Sequence, residues 1–191
     1  MARPRIYLAG PEVFLPDAAA AGVAKRELCA SAGFEGIFPL DQALDLVGLT
    51  PVEQARVIYR ADCEMMRSCA AAIANLTPFR GVSMDSGTAF EVGFMRALGR
   101  PILGYTNVAD DYANRATAFR ARGIPHRDSD RHDVQIEDFG LSENLMIEIA
   151  IAECGGGVVR NAVAAGREMI DLAGFRQCLA QLQKMAVATS S

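Results

Sequence analysis

Short apolar segments closed by turn residues alternate with longer segments at helical spacing. This alternation constrains the fold more than any other feature of the chain. Residues 5–9 read as a buried strand that ends at Gly10-Pro11. An Ala-rich helix follows over residues 17–31, with Asp17 as cap and Gly33 as stop. Residues 37–40 read as a second strand and 70–76 as a third. Between them Thr50, Pro51 and Glu53 form a capping-box start for a helix running to residue 68. A helix over 86–98, closed by Gly99, leads to a fourth strand over 101–106. Parallel strands need such crossover helices, so the pattern predicts a doubly wound α/β fold, a parallel sheet with helices on both faces. Ligands in such folds bind beyond the carboxyl ends of the strands. Those ends are Gly10-Pro11, Asp41-Gln42, residues 76–85 and Thr106-Asn107.

The second half is less regular. Residues 107–142 are polar, rich in Asp and Arg, and hold both histidines, His126 and His132. Residues 110–122 fit a helix, and the remainder reads as a long loop or lid. A helix over 144–154 stops at three glycines, 155–157. A short strand at Val158-Val159 brings the sheet to about five strands, and a helix over 162–184 precedes a frayed tail. No repeat and no break in composition divides residues 1–191, so one domain is expected.

The chain carries 19 Lys and Arg against 23 Asp and Glu, a net charge of −4. Nucleic-acid affinity rests on cations that neutralise phosphates, so this balance argues against a nucleic-acid polymer as partner. Neutral small molecules remain open. No apolar run approaches the roughly 18 residues of a membrane span, so no membrane partner is expected. The apolar stretch at the N-terminus is too short for a signal peptide. Five scattered cysteines without a CxxC pair suit reduced, buried thiols in a cytoplasmic protein and give no metal motif.

The segment 84–93 is the richest in chemistry. Asp85 and Glu91 flank the small-residue turn Ser86-Gly87 at a helix start on the ligand-binding edge. Gly87 lets a ligand approach the backbone. One ionised carboxylate beside a protonatable one equips a site for glycosyl transfer, as nucleophile and acid. The same residues also fit helix capping, with Asp85 as N-cap or Thr88 and Glu91 as a capping box. Asp62 falls on the apolar face that Ala55, Ile58, Met65, Met66 and Cys69 define. A carboxylate there either pairs with an arginine such as Arg60 or Arg80, or lines a pocket. Tyr7 lies near the end of the first strand, as a core aromatic or with its hydroxyl reaching a carboxylate. The glycines at 155–157 suit a helix C-cap better than a phosphate loop, and the arginines at 115, 120, 122, 127 and 131 suit a solvated loop.

Taken together, residues 6–11 (Ile-Tyr-Leu-Ala-Gly-Pro), Asp62, residues 74–81 (Ala-Asn-Leu-Thr-Pro-Phe-Arg-Gly), residues 85–93 and residues 139–146 resemble the nucleoside 2-deoxyribosyltransferases. The resemblance runs to about residue 160. It implies a flavodoxin-like fold and exchange of the base on a 2′-deoxynucleoside through a covalent deoxyribosyl-enzyme. It places Glu91 as nucleophile, Tyr7 as the residue that orients it, and Asp62 and Asp85 as acids that contact or protonate the base. It places Gly10, Phe14, Asp41, Gln42 and Gly87 around the substrate. Asn144 and Met146 match a stretch that the family lends to a neighbouring subunit's sugar pocket, which implies a homodimer or higher homo-oligomer with shared sites. The implied partners are 2′-deoxynucleosides and free nucleobases, with purines favoured, and no cofactor is implied. Two alternatives stand beside this: an N-glycosidase on the same scaffold, and a non-catalytic nucleoside-binding module.

Overall fold

The computed structural model describes residues 2–122 and 135–188. Five parallel strands form one sheet: β1 (Arg5–Ala9), β2 (Glu35–Ile37), β3 (Ala71–Asn75), β4 (Ile102–Thr106) and β5 (Val158–Arg160). Their spatial order is β2-β1-β3-β4-β5, the doubly wound, flavodoxin-like order. The helices are α1 (Ala18–Ser31), α2 (Pro51–Ser68), α3 (Ser86–Ala97), α4 (Tyr112–Ala121), α5 (Leu145–Glu153) and α6 (Ala173–Ala188).

Alternation along the strands sorts the core into two halves. Tyr7, Ala9, Ala72, Ala74 and Ile102 face one way and pack on Cys63, Met66, Val92, Met95 and Ile151 of α2, α3 and α5. Ile6, Leu8, Ile73, Leu103 and Tyr105 face the other way, onto Cys29 of α1 and Phe175, Cys178 and Leu182 of α6. The three central strands, β1, β3 and β4, are buried on both faces, which is why they read as apolar runs.

Two elements and one side chain differ from expectation. The second strand covers Glu35–Ile37 rather than 37–40, and a 3₁₀ turn (Pro39–Asp41) occupies the rest. Asp41 Oδ2 accepts the Phe38 amide at 2.8 Å and holds that turn. The C-terminal helix begins at Ala173 rather than 162. Asn107 Nδ2 donates to the carbonyls of Glu168 (2.7 Å) and Asp171 (3.0 Å), and Gly166 has φ +82°, so the connection follows a course that a helix cannot. The helix expected over 110–122 is formed as α4, but its Arg115, expected in a solvated loop, is 9 % exposed and ties that helix to the carbonyls of Val82 (2.9 Å) and Ser142 (2.7 Å). His126, His132, Arg127 and Arg131 lie outside the described residues. No helix among the described residues is long and apolar enough to cross a membrane.

Candidate active site

The strand order reverses between β1 and β3, and the chain leaves both strands at the same edge of the sheet. A cleft of about 290 Å³ opens there, walled by Gly10, Val13, Phe14, Pro39, Leu40, Ile58, Asp62, Asp85, Gly87, Thr88 and Glu91. Three carboxylates from two helices therefore converge on one cavity. No cation is among the wall residues.

Glu91 sits on the second turn of α3. Tyr7, fully buried in β1, donates its hydroxyl to Glu91 Oε1 at 2.7 Å. The two residues are 84 apart in sequence, and the parallel pairing of β1 with β3 brings them together. Glu91 Oε2 has no protein hydrogen bond among the described residues. Burial raises the Glu91 carboxyl to about 8; the Tyr7 bond opposes this, while the charges of Asp62, Asp85 and Glu12 reinforce it. The Tyr7 phenol is raised far above its ordinary range, first by burial and then by Glu91. It therefore stays protonated as a donor.

Asp85 is the N-cap of α3. Its Oδ2 accepts from the Thr88 amide at 3.0 Å and lies 3.3 Å from the Thr88 hydroxyl. Thr88 is inside the helix, so the alternative Thr88–Glu91 capping box is not formed. Asp85 both caps the helix and lines the cleft; the two roles do not compete. A Cβ at Gly87 would stand 2.9 Å from Asp85 Oδ2, so a side chain there would crowd the carboxylate.

Asp62 projects from α2 into the same cleft. It makes no ion pair among the described residues, and neither Arg60 nor Arg80 reaches it. Burial alone raises its carboxyl to about 6. The apolar face of α2 explains the position. Met65, Met66 and Cys69 enter the core, whereas Ile58, two turns before Met65, is 42 % exposed and walls the cleft. The helix runs past the core and hangs over the site.

The remaining expected residues divide. Gly10 and Phe14 line the cleft as expected. Asp41 is committed to Phe38 and to an ion pair with Arg26, and Pro39 and Leu40 form the wall in place of Asp41 and Gln42. Asn144 caps α5 through the Met146 amide (3.0 Å) and donates to Glu137 (3.0 Å). Neither Asn144 nor Met146 lines its own chain's cleft, and Met146 is 70 % exposed.

Two buried acids escaped the sequence. Glu143 accepts from Ser83 Oγ (2.6 Å) and the Met84 amide (2.9 Å), which fixes the loop before Asp85. Glu12, in the 3₁₀ turn after Gly10, is 2 % exposed and pairs with Lys25 of α1, itself 1 % exposed. Asn75 Nδ2 (2.8 Å) and the Tyr105 hydroxyl (3.0 Å) donate to the same oxygen, Oε1. Glu12 Oε2 is buried without a partner and packs against Gly10 so closely that a Cβ there would overlap it. An acid in a turn that Gly10-Pro11 announces gives no hint of such burial; its partners lie 13 to 93 residues away.

Comparison with known proteins fits this geometry. The sequence profile of the nucleoside 2-deoxyribosyltransferase family matches residues 6–146, which contain every cleft residue. The chain belongs to that family. It is 31 % identical over 169 residues to the uncharacterized protein C191.05c of Schizosaccharomyces pombe, covering 81 % of this chain and 80 % of that protein. Among solved structures it matches a 2-desoxiribosyltransferase from Leishmania mexicana with TM-score 0.63 and 27 % identity, over 95 % of this chain and 97 % of that one. A conserved protein from Enterococcus faecalis V583 shares the fold (TM-score 0.54, 18 % identity, 95 % and 99 % coverage).

Proposed function

We propose that the chain transfers the 2-deoxyribosyl group between nucleobases by double displacement at Glu91. The observation that carries this is the Tyr7–Glu91 hydrogen bond: one carboxylate oxygen is fixed, the other is unbonded at the cleft, and two further acids stand beside it. Glu91 Oε2 attacks C1′ of the bound deoxynucleoside as the C1′–N bond breaks through an oxocarbenium-like state. The bonding pair leaves with the base nitrogen, which takes a proton from Asp62 or Asp85. Asp62 suits this role because burial keeps it protonated nearer neutrality. A second base then attacks C1′, Glu91 departs as carboxylate, and the incoming base's N–H proton returns to the acid. Two inversions retain configuration. The absence of a 2′-hydroxyl eases formation of the cation, which suits 2′-deoxy sugars.

The apolar wall of Val13, Phe14, Pro39, Leu40 and Ile58 suits a flat neutral base, and we assign purines as the preferred class. The exposed Met146 beside Asn144, away from its own cleft, supports a homo-oligomer whose copies complete one another's sites. In that case specific activity falls on dilution.

Intact-mass analysis after incubation with 2′-deoxyadenosine tests the nucleophile. The wild type gains one deoxyribosyl unit, hypoxanthine discharges it as deoxyinosine, and Glu91→Ala gains nothing. Glu91→Ala also lowers exchange by about 10³-fold or more. An adduct that persists in Glu91→Ala removes Glu91 from this role. Free adenine released equally fast without an acceptor base makes the protein an N-glycosidase instead.

A further inference from the structure

The cleft wall contains one ring whose support comes from outside the cleft. Phe14 is 52 % exposed and lines the cavity. Its ring stacks on Phe79 with centroids 5.5 Å apart and planes 14° apart. The Arg80 guanidinium lies over both rings, 4.8 Å from the Phe14 centroid and 4.6 Å from that of Phe79. Neither Phe79 nor Arg80 lines the cleft. Arg80 forms no ion pair among the described residues.

The backbone marks this cluster as well. Arg80 is the one non-glycine residue with positive φ among those described, at +56°. A side chain in the left-handed region carries a conformational cost, and such strain collects at ligand clamps. Gly81, the next residue, would occupy that conformation freely, yet the chain places it on Arg80. The Phe79 amide closes the turn by donating to the Ser83 carbonyl at 2.9 Å. The loop therefore spends its strain on presenting a cation to two stacked rings.

We infer that Phe79 and Arg80 are positioning residues that hold Phe14 as a rigid stacking platform for the nucleobase, and that the platform favours the two-ring purines. The inference rests on the proposed use of the cleft for nucleosides. An unsupported Phe14 on a short 3₁₀ turn would pay ordering entropy on each binding event, and stacking on both Phe79 and Arg80 removes that cost in advance. Stacking grows with overlapping ring area, so a purine gains more than a pyrimidine. Arg80 acts on the base through Phe14 and touches no reacting atom.

The test is calorimetric binding of adenine and cytosine, with transfer kinetics, for wild type, Arg80→Gly and Arg80→Lys. Glycine keeps the +56° turn without strain, so Arg80→Gly folds while losing the guanidinium. Adenine binding weakens about three- to tenfold, by the scale of a cation–π contact, and KM for 2′-deoxyadenosine rises in step while kcat stays within twofold. Cytosine binding changes less. Arg80→Lys, which keeps the charge but not the planar fork, recovers part of the loss. Equal adenine affinity in wild type and Arg80→Gly overturns the inference. So does an effect confined to a deoxynucleoside 5′-monophosphate, which would make Arg80 a phosphate reader. A wild type that binds adenine with the expected Arg80 dependence, yet transfers nothing, overturns the proposed reaction and leaves the platform standing.

Discussion

Two groups of carboxylates share the carboxyl edge of this sheet and are treated in opposite ways. In the cleft, Glu91, Asp62 and Asp85 face one cavity with no cation on its wall. Glu12 is instead sealed with Lys25 and receives two further donors. The first group leaves its charge uncompensated, so the carboxyls of Glu91 and Asp62 rise toward neutrality. The second group compensates its charge and becomes architecture. It joins the turn after β1 to α1 and to the ends of β3 and β4. Asn75 extends the chain through its Oδ1 to the Thr77 amide (3.0 Å), and Thr77 Oγ1 accepts the Asn107 amide (3.1 Å). Buried acids raised with no cation beside them are the signature of chemistry, and an acid paired with a buried cation is the signature of structure.

The largest expected effect comes from breaking the compensated group. Lys25→Met leaves Glu12 buried and unpaired, which destabilises the fold by about 3–5 kcal/mol. Thermal unfolding would shift down by about 10 °C. Adding Glu12→Gln to Lys25→Met removes the orphan charge and restores most of the loss. If the double variant is as unstable as Lys25→Met alone, the loss belongs to packing of the lysine stem and its place over Tyr105 and Phe175, 5.6 and 5.3 Å from their centroids.

The next effect sharpens the cleft side. Glu91 is faced by Tyr7 from β1, Asp62 from α2, Asp85 from the α3 cap and Glu12 from the first turn. Transfer needs Glu91 ionised and one acid protonated, so kcat/KM of the wild type is bell-shaped with limbs near 6 and 8 and a maximum near pH 7. Asp62→Asn lowers the rate about 10²-fold and abolishes the alkaline fall, because only Glu91 ionisation then controls it. The remaining rise moves below 8, since the Asp62 charge no longer opposes that ionisation. A bell that survives in Asp62→Asn assigns proton donation to Asp85.

How far the sequence carried this picture depends on the range of the contacts. The parallel sheet was legible because each strand and helix announces itself locally. Thr50, Pro51 and Glu53 define the α2 start with their own side chains, and the structure forms that capping box. The limits of β2 and α6 were not legible, because distant side chains decide them; Asn107 reaches 61 and 64 residues ahead to hold Glu168 and Asp171. The cleft residues Tyr7, Asp62, Asp85 and Glu91 were legible only in combination, through a family pattern. Local rules left each with an equally good structural role, and for Asp85 that role is also present. Glu12 stayed hidden because an acid in a short turn normally meets water, and Lys25 lies in a helix whose Ala-rich surroundings mark no polar partner.

The smallest effect separates the two groups by pH. A carboxyl raised by burial stabilises the fold while it is protonated. That contribution is complete below the ordinary value of 4.5 and is lost as pH rises through about 8, where Glu91 must ionise in its cleft. Glu91→Gln cannot ionise, and its amide oxygen still accepts from Tyr7. The variant therefore unfolds near the wild-type temperature at pH 5 and becomes progressively more stable than wild type as pH rises from 5 to 9. Tyr7→Phe in the wild-type background enlarges the alkaline penalty, because the hydroxyl bond favours the ionised carboxylate. A stability gap between Glu91→Gln and wild type that stays constant from pH 5 to 9 would mean that Glu91 ionises as freely in the fold as in the unfolded chain. The contrast between a compensated and an uncompensated acid would then fail at its central residue.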